Sequence, residues 1–321
     1  MLVAALIFLS ALLAQDWALT PDLPSQLTEK ELSQGKELYS ANCQRCHGAD
    51  GDDASQEGIT PLGGLSLRLG DPRNRNFGGP SFRARGRIYS PVEAKALMGY
   101  ILTLRGEKGF SRPEALVSPC LLSRKQTRRT YLVIDLRPEA DFRAAHVGGA
   151  ANLPPKALAK LAHPAMGRDL SNRIVILYDE GSGLQASKVW RALVQSGHRT
   201  VAVLDGGFER WVAEDRDITS AVSATLPSVL LIDSPDTANA AQPPAERVPL
   251  PELDYDWQKT VTDNGLRPAS ELTGYLRSIG FKGAGRYRLR RGSKAADLLA
   301  FELHLLGYAV LSSRNQEIVI R

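Results

Sequence analysis

A five-residue run, Cys43-Gln44-Arg45-Cys46-His47, constrains this 321-residue chain more than any other feature. Two thiols with two residues between them, followed at once by an imidazole, have the C-x-x-C-H spacing of covalent c-type haem attachment. Both thiols can reach the vinyl groups on one porphyrin edge, and the imidazole then falls where it binds iron. With three Cys and five His in the chain, composition alone yields such a run about four times in 10,000 chains. The sequence therefore assigns Cys43 and Cys46 to thioether bonds and His47 to iron, for one covalent haem c per chain. Three other uses of the pair are weaker, the first a plain disulfide between the two thiols. A zinc site has no second ligand pair, because only Cys120 and scattered histidines remain, and a thioredoxin-like redox pair would need a preceding strand.

Leu2 to Ala14 form a nearly unbroken apolar run. It falls short of a roughly 20-residue membrane span and has the size of a signal-peptide core. Residues 1–20 are read as a leader that sends the chain to the periplasm or otherwise out of the cytoplasm. No Lys or Arg precedes the run, so an uncleaved anchor, a mis-assigned start and a buried helix stay open. Export agrees with the haem reading, because thioether attachment is carried out outside the cytoplasm. Hydrophobic content of 43% gives two or three domains real cores. Once the haem cysteines are subtracted, Cys120 is alone and no disulfide framework is available. The net charge of +5 is uneven: Arg68, Arg73, Arg75, Arg83, Arg85 and Arg87 crowd one loop against Asp71. Such a patch suits an acidic redox partner, haem propionates or plain solvation. Nucleic acid is excluded as a partner, since no aromatics for base stacking interleave with these arginines.

Thr28 to Glu31 and Ser90 to Glu93 are capping boxes, each opening an amphipathic stretch. The first stretch runs into the haem motif. The second carries Ala94, Leu97, Met98, Ile101 and Leu104 on one stripe. With Gly48 directly after His47 and a Gly/Pro-rich loop between the helices, residues 25–107 resemble a class I cytochrome c. The resemblance implies an all-α fold and His47 as the proximal ligand. It also implies a loop methionine as sixth ligand, but the loop reads Phe77-Gly78-Gly79-Pro80-Ser81-Phe82. The sixth position is thus left to Met98, to a lysine or to nothing, and Met98's place on the stripe is that of a core residue.

From Tyr131 the pattern changes to short β-branched runs alternating with amphipathic stretches, the signature of a parallel sheet covered by helices. Strands are expected at 132–135, 174–178 and 201–205, with a helix over 186–196. Ile134-Asp135-Leu136-Arg137, Ala145-His146-Val147-Gly148-Gly149-Ala150-Ala151-Asn152-Leu153-Pro154, and Leu204-Asp205-Gly206-Gly207 with Trp211 resemble a rhodanese domain over residues 112–215. In that family a cysteine after the central strand carries sulfur in a backbone cradle. Here Asp179 stands at that position. A carboxylate cannot hold a sulfane sulfur, so the resemblance implies a module without sulfurtransferase turnover. A worn second copy is read over 226–321, with Val229–Asp233 repeating the first strand and Ser293–Gly307 the helix after the active loop. Both units are expected to carry parallel central sheets. In the second, Arg290 takes the cysteine position amid Arg286, Arg288 and Arg291, either an anion site or a solvated basic rim.

Cys120, at a helix start near Arg124 and Lys125, is a packed thiol or a reactive one. His146, Trp190 and Trp211 read as structural, and His198 and His304 as capping or surface residues. The combined expectation is an exported mono-haem electron-transfer protein. Its rhodanese-like module would bind an inorganic sulfur anion, at Asp179 or Arg290, or a redox partner. The alternatives are a haem enzyme acting on an inorganic sulfur compound at an open iron site and a sulfurtransferase using Cys120.

Overall fold

The computed structural model describes residues 26–49, 51, 83–84, 86–106, 108–123, 131–154, 164–165, 174–195, 198, 201–221, 232–233, 250–290, 295–314 and 317–321. The apolar leader, loop 77–82, Arg68, Arg73, Arg75, Arg85, Arg124, Lys125 and Arg291 lie outside them. Among the described residues no helix is long and apolar enough to cross a membrane. The chain divides into two units, 1–107 and 108–321.

In the first unit, α1 (Glu29–Asn42) starts where Thr28 Oγ1 accepts from the Glu31 N–H at 3.3 Å, while the Glu31 carboxylate accepts from the Thr28 N–H at 2.8 Å. Two orphan donors of the first turn are thereby satisfied at once. A short turn, α2 (Gln44–His47), follows. The two-residue antiparallel strands β1 (Arg83–Ala84) and β2 (Arg87–Ile88) come before α3 (Pro91–Ile101). Ser90 and Glu93 cap α3 in the same reciprocal way, with Pro91 where a missing N–H is harmless.

α1 and α3 cross with their backbones in contact. A Cβ at Gly35 would lie 2.1 Å from the Ala96 carbonyl oxygen, and one at Gly99 would lie 2.0 Å from Leu27 Cδ1. Tyr39 and Tyr100 meet beside the crossing with ring centroids 5.5 Å apart. Tyr39, Tyr89, Ala94, Leu97, Met98, Ile101, Leu102 and Leu104 form the buried cluster.

In the second unit, β3 (Leu116–Val117), α4 (Pro119–Ser123), β4 (Leu132–Asp135), α5 (Glu139–Ala144), β5 (His146–Val147), β6 (Ala151–Asn152), β7 (Pro164–Ala165), β8 (Val175–Tyr178), α6 (Leu184–Gln195), β9 (Val201–Leu204), α7 (Gly207–Ala213) and β10 (Ile218–Thr219) succeed one another. The sheet order is β3-β9-β8-β4-β6, and every pairing in it is parallel. β4, β8 and β9 are buried at every position, as expected of strands covered on both faces.

The C-terminal half adds β11 (Ile232–Asp233), β12 (Glu252–Leu253), β13 (Val261–Thr262), β14 (Gly265–Leu266), α8 (Ala269–Ser278), β15 (Gly285–Leu289), α9 (Ala296–Leu305), β16 (Val310–Arg314) and β17 (Glu317–Ile320). Its sheet, β12-β15-β17-β16, is mixed, which corrects the expected parallel sheet. Only β12 and β15 run parallel, and the hairpin of β16 and β17 lays an antiparallel strand against β15. The run expected to repeat the first strand also departs. Its described residues, Ile232–Asp233, pair antiparallel with Pro164–Ala165 of the preceding half, and β12 joins β15 directly.

One apolar cluster spans both halves, from Ile134, Leu177 and Trp190 to Leu253, Phe301 and Ile318. Trp190 packs edge-on against Phe301 with centroids 4.9 Å apart, and Arg191 pairs with Asp297 at 2.6 Å. Asp205 fastens the same seam. It accepts the Leu266 N–H at 2.9 Å and pairs with Arg210 at 2.5 Å and with Lys108.

Candidate functional site

The haem motif sits where α1 runs out. The Cys43 N–H still donates to Tyr39 O at 2.8 Å, and the chain then tightens: the Cys46 and His47 N–H groups both donate to Cys43 O at 3.0 Å. Gly48 ends the turn at φ 71, a left-handed value that suits glycine. The Tyr39 hydroxyl donates to Gly48 O at 2.6 Å, tying the residue after the histidine back to the helix. Two thiols and an imidazole thus share one rigid turn.

Cys46 is buried, Cys43 and His47 are half-buried, and neither thiol is in a disulfide. Beside them Tyr89 is buried, and burial, with the neighbouring Cys43 second, raises its hydroxyl pKa. This donor set fits a porphyrin held by two thioethers and an axial imidazole. Met98 is 1% exposed within the Tyr39–Tyr89 cluster, so its thioether serves as packing in this arrangement.

In the second unit the loop after β8 holds the position that the rhodanese resemblance gives to cysteine. Asp179 is buried there, and its carboxylate accepts N–H bonds from Gly183 at 3.0 Å, Gln185 at 2.9 Å and Ala186 at 3.2 Å. Those donors form the loop and first turn of α6, the kind of N-terminal cradle that receives anions. The side chain fills it from within. Burial raises the carboxyl's pKa, opposed by the N–H donors of Ala186, Gly183, Gln185 and Gly181.

The rim of this loop is acidic. Glu209 lies so close over Gly181 that a Cβ there would come within 2.4 Å of its carboxylate. Glu180 has its pKa raised by burial and by Glu209 and Asp141, against the pull of Arg137. Arg137, 4% exposed, is committed to Asp135 at 2.8 Å, to Ala145 O at 2.6 Å and to the Phe208 ring at 3.6 Å. The described cradle at Asp179 is thus filled by the chain's own carboxylate and rimmed by negative charge, an arrangement that disfavours an external anion there.

Among the described residues, the arginines around β15 are spread along the strand. β15 alternates, with Tyr287 and Leu289 buried and Arg286 and Arg288 exposed, and Arg290, just past its end, is exposed as well. Arg286 and Arg288 pair with Glu317, and Arg290 pairs with Asp254 at 2.9 Å. The strand's two-residue period spreads these cations over a solvated face and matches them with carboxylates.

Cys120 lies half-buried in α4, on an element separate from the Asp179 loop. His304, expected as a capping or surface residue, packs against Trp190 with centroids 4.7 Å apart, and its Nδ1 accepts from Arg112 at 2.9 Å. Burial, with Arg112 second, pushes its pKa down to about 3. Sequence reasoning missed Glu302, a fully buried carboxyl in α9. Its one hint was an acidic residue inside the apolar run Leu298–Leu306.

These features define two domain classes on one chain. The cytochrome c family matches residues 32–105, and the rhodanese-like domain family matches residues 118–214. The chain carries a cytochrome c domain followed by a rhodanese-like domain.

Among curated relatives, an Escherichia coli K12 protein called "Uncharacterized protein YibN" is 30% identical over 84 residues, 26% of this chain and 57% of that one. Rat thiosulfate sulfurtransferase is 40% identical over 57 residues, 17% of this chain and 19% of that one. The chain thus spans less than two thirds of each of these relatives. Among solved structures, the E. coli 3-mercaptopyruvate sulfotransferase SseA aligns with a TM-score of 0.46 at 18% identity, covering 60% of this chain and 94% of that one.

Proposed function

We propose that this chain is an exported, single-haem c-type cytochrome that transfers electrons, joined to a rhodanese-like module that does not turn over sulfur. The observation that carries the reading is the Cys43–His47 turn within a cytochrome c domain. Cys43 and Cys46 would bear the thioethers and His47 would ligate the iron. When bound, the haem supplies a reversible one-electron centre. The chain's part is rigidity and exclusion: the α1–α3 crossing fixes the turn, and the Tyr39–Gly48 bond holds the segment after His47.

In this reading the cytochrome domain is residues 25–107, whose described residues form helices and the β1–β2 ladder. The rhodanese-like part comprises residues 112–215 and a degenerate copy over 226–321. The succession of β15 and α9 mirrors that of β8 and α6, which supports the copy. The leader directs the chain out of the cytoplasm, and the basic loop of the cytochrome domain, Arg68 to Arg87, meets an acidic redox partner.

Among the described residues the module offers no thiol at its cradle. Asp179 already satisfies the donors that a persulfide would need, and its carboxylate cannot be regenerated by thiol exchange. The test is acid-acetone extraction and intact mass of protein matured in a host competent for haem attachment. One haem should stay with the polypeptide and be lost in the Cys43→Ala/Cys46→Ala variant. Colourless protein, or pigment that extracts freely, overturns the proposal.

A further inference from the structure

The side chains that bind haem iron firmly opposite an axial histidine are few: a thioether, a second imidazole, a thiolate or an amine. From Gly48 to Ser90 the chain has no Met, His, Cys or Lys. Its five histidines are His47, His146, His163, His198 and His304, and its three methionines are Met1, Met98 and Met166. With Cys43 and Cys46 given to the porphyrin, the firm donors left within residues 25–107 are Met98, Lys30, Lys36 and Lys95.

Each of these is placed for other work. Met98 lies inside α3, is 1% exposed, and belongs to the buried cluster of Tyr39, Leu97 and Ile101. Turning α3 to present it would break the backbone contact with α1 at Gly35. Lys30 and Lys36 are exposed on α1, the helix that delivers the haem motif, and Lys95 reaches Glu31 at 3.8 Å. The weaker oxygen donors are engaged as well. The Tyr39 hydroxyl donates to Gly48 O at 2.6 Å. Tyr89, buried, keeps its phenolic proton because burial raises its pKa, and a neutral phenol is a poor iron ligand.

We propose, resting on the covalent haem argued above, that the chain supplies no ligand opposite His47 and that this face of the iron binds a small exogenous ligand. The class is compact and strong-field: a diatomic gas on ferrous iron, or an anion such as cyanide or hydrosulfide on ferric iron. Nothing stronger than water has to leave before such a ligand enters, so capture needs no displacement of a protein side chain. An axial ligand is also one of the levers on haem potential, so capture tunes the electron transfer proposed for the same iron.

The test takes the full chain, matured with haem, and records optical and electron paramagnetic resonance spectra of the oxidised and reduced protein. Carbon monoxide is then titrated into the reduced form and cyanide into the oxidised form. High-spin spectra are expected before addition, and each probe should bind in one saturable step that converts the iron to low spin. Met98→Leu, a swap close in volume, should leave the spectra and both affinities unchanged. The Lys30→Gln/Lys36→Gln/Lys95→Gln variant should do the same. Low-spin spectra before any addition, a thioether-to-iron charge-transfer band that vanishes in Met98→Leu, or failure of both probes to bind overturns this proposal and leaves the covalent haem standing. Pigment that acid-acetone strips from the polypeptide overturns both.

Discussion

Glu302 gives the sharpest energetic prediction. Its carboxyl is fully buried in α9, accepts the Tyr255 hydroxyl at 2.8 Å through Oε2, and has no hydrogen-bond partner for Oε1 among the described residues. Desolvation dominates there, and the nearby hydroxyls of Thr260 and Tyr255 offset it only in part, so the pKa is pushed up to about 8 from 4.5. The folded protein then keeps a proton that the unfolded chain has released. Stability is full below pH ~4.5, falls by ~1.4 kcal/mol per pH unit as pH rises toward 8, and levels off above that. Over the window the loss is roughly 4–5 kcal/mol, a large share of a typical folding free energy.

Glu302→Gln keeps an acceptor for Tyr255 and removes the titration. Urea unfolding of parent and variant from pH 5 to pH 8.5 reads the effect directly. The variant's advantage should grow steadily up to about pH 8 and level off beyond it. His304 works in the opposite sense, since a pKa lowered from 6.5 to about 3 costs stability as pH falls through that interval. It is present in both proteins and cancels in their difference. A difference curve flat between pH 5 and pH 8 would refute the claim that Glu302 is neutral in the native state.

Gly35→Ala should cost about 3 kcal/mol or more, because the new methyl meets the Ala96 carbonyl and forces the two helices apart; the loss shows as a lower melting temperature of the haem-bearing unit. Asp179→Ala should cost about 1–2 kcal/mol by stripping the α6 cradle of its acceptor. It should also create an anion site, so that thiosulfate raises the melting temperature of the variant and not of the parent. Tyr178→Phe removes the hydroxyl that donates to the buried Asp135 at 2.6 Å and should cost about 1–3 kcal/mol by chemical denaturation, leaving the haem spectrum unchanged.

What could be read from the sequence was what local chemistry determines. Both capping boxes form as their spacing dictates, and the fully buried strands follow from uninterrupted runs such as Val175–Tyr178. The C-terminal half was harder, because its elements depend on distant partners. Nothing near Ile232–Asp233 announces that the pair will lie against Pro164–Ala165, and nothing within Val310–Ile320 shows that a hairpin will replace a parallel strand. At the candidate sites, the residue types at Asp179 and Arg290 were plain. Their occupation was not, since it depends on which N–H groups and which carboxylates the fold brings up: the helix cradle for Asp179, Asp254 for Arg290. His304 misled for a similar reason, its surroundings being supplied by Trp190 and Arg112 from far along the chain.

The continuous interior running from Leu177 through Trp190 and Phe301 to Ile318 has a practical outcome for anyone shortening this molecule. A fragment ending near residue 221 would bare Trp190, Leu193 and Phe110 to water and leave the Asp205 carboxylate without the Leu266 amide. The C-terminal stretch acts as a permanent coat for the five-stranded sheet. Its outward residues can change at little energetic cost, while its inward residues are held to the shape of the half they cover.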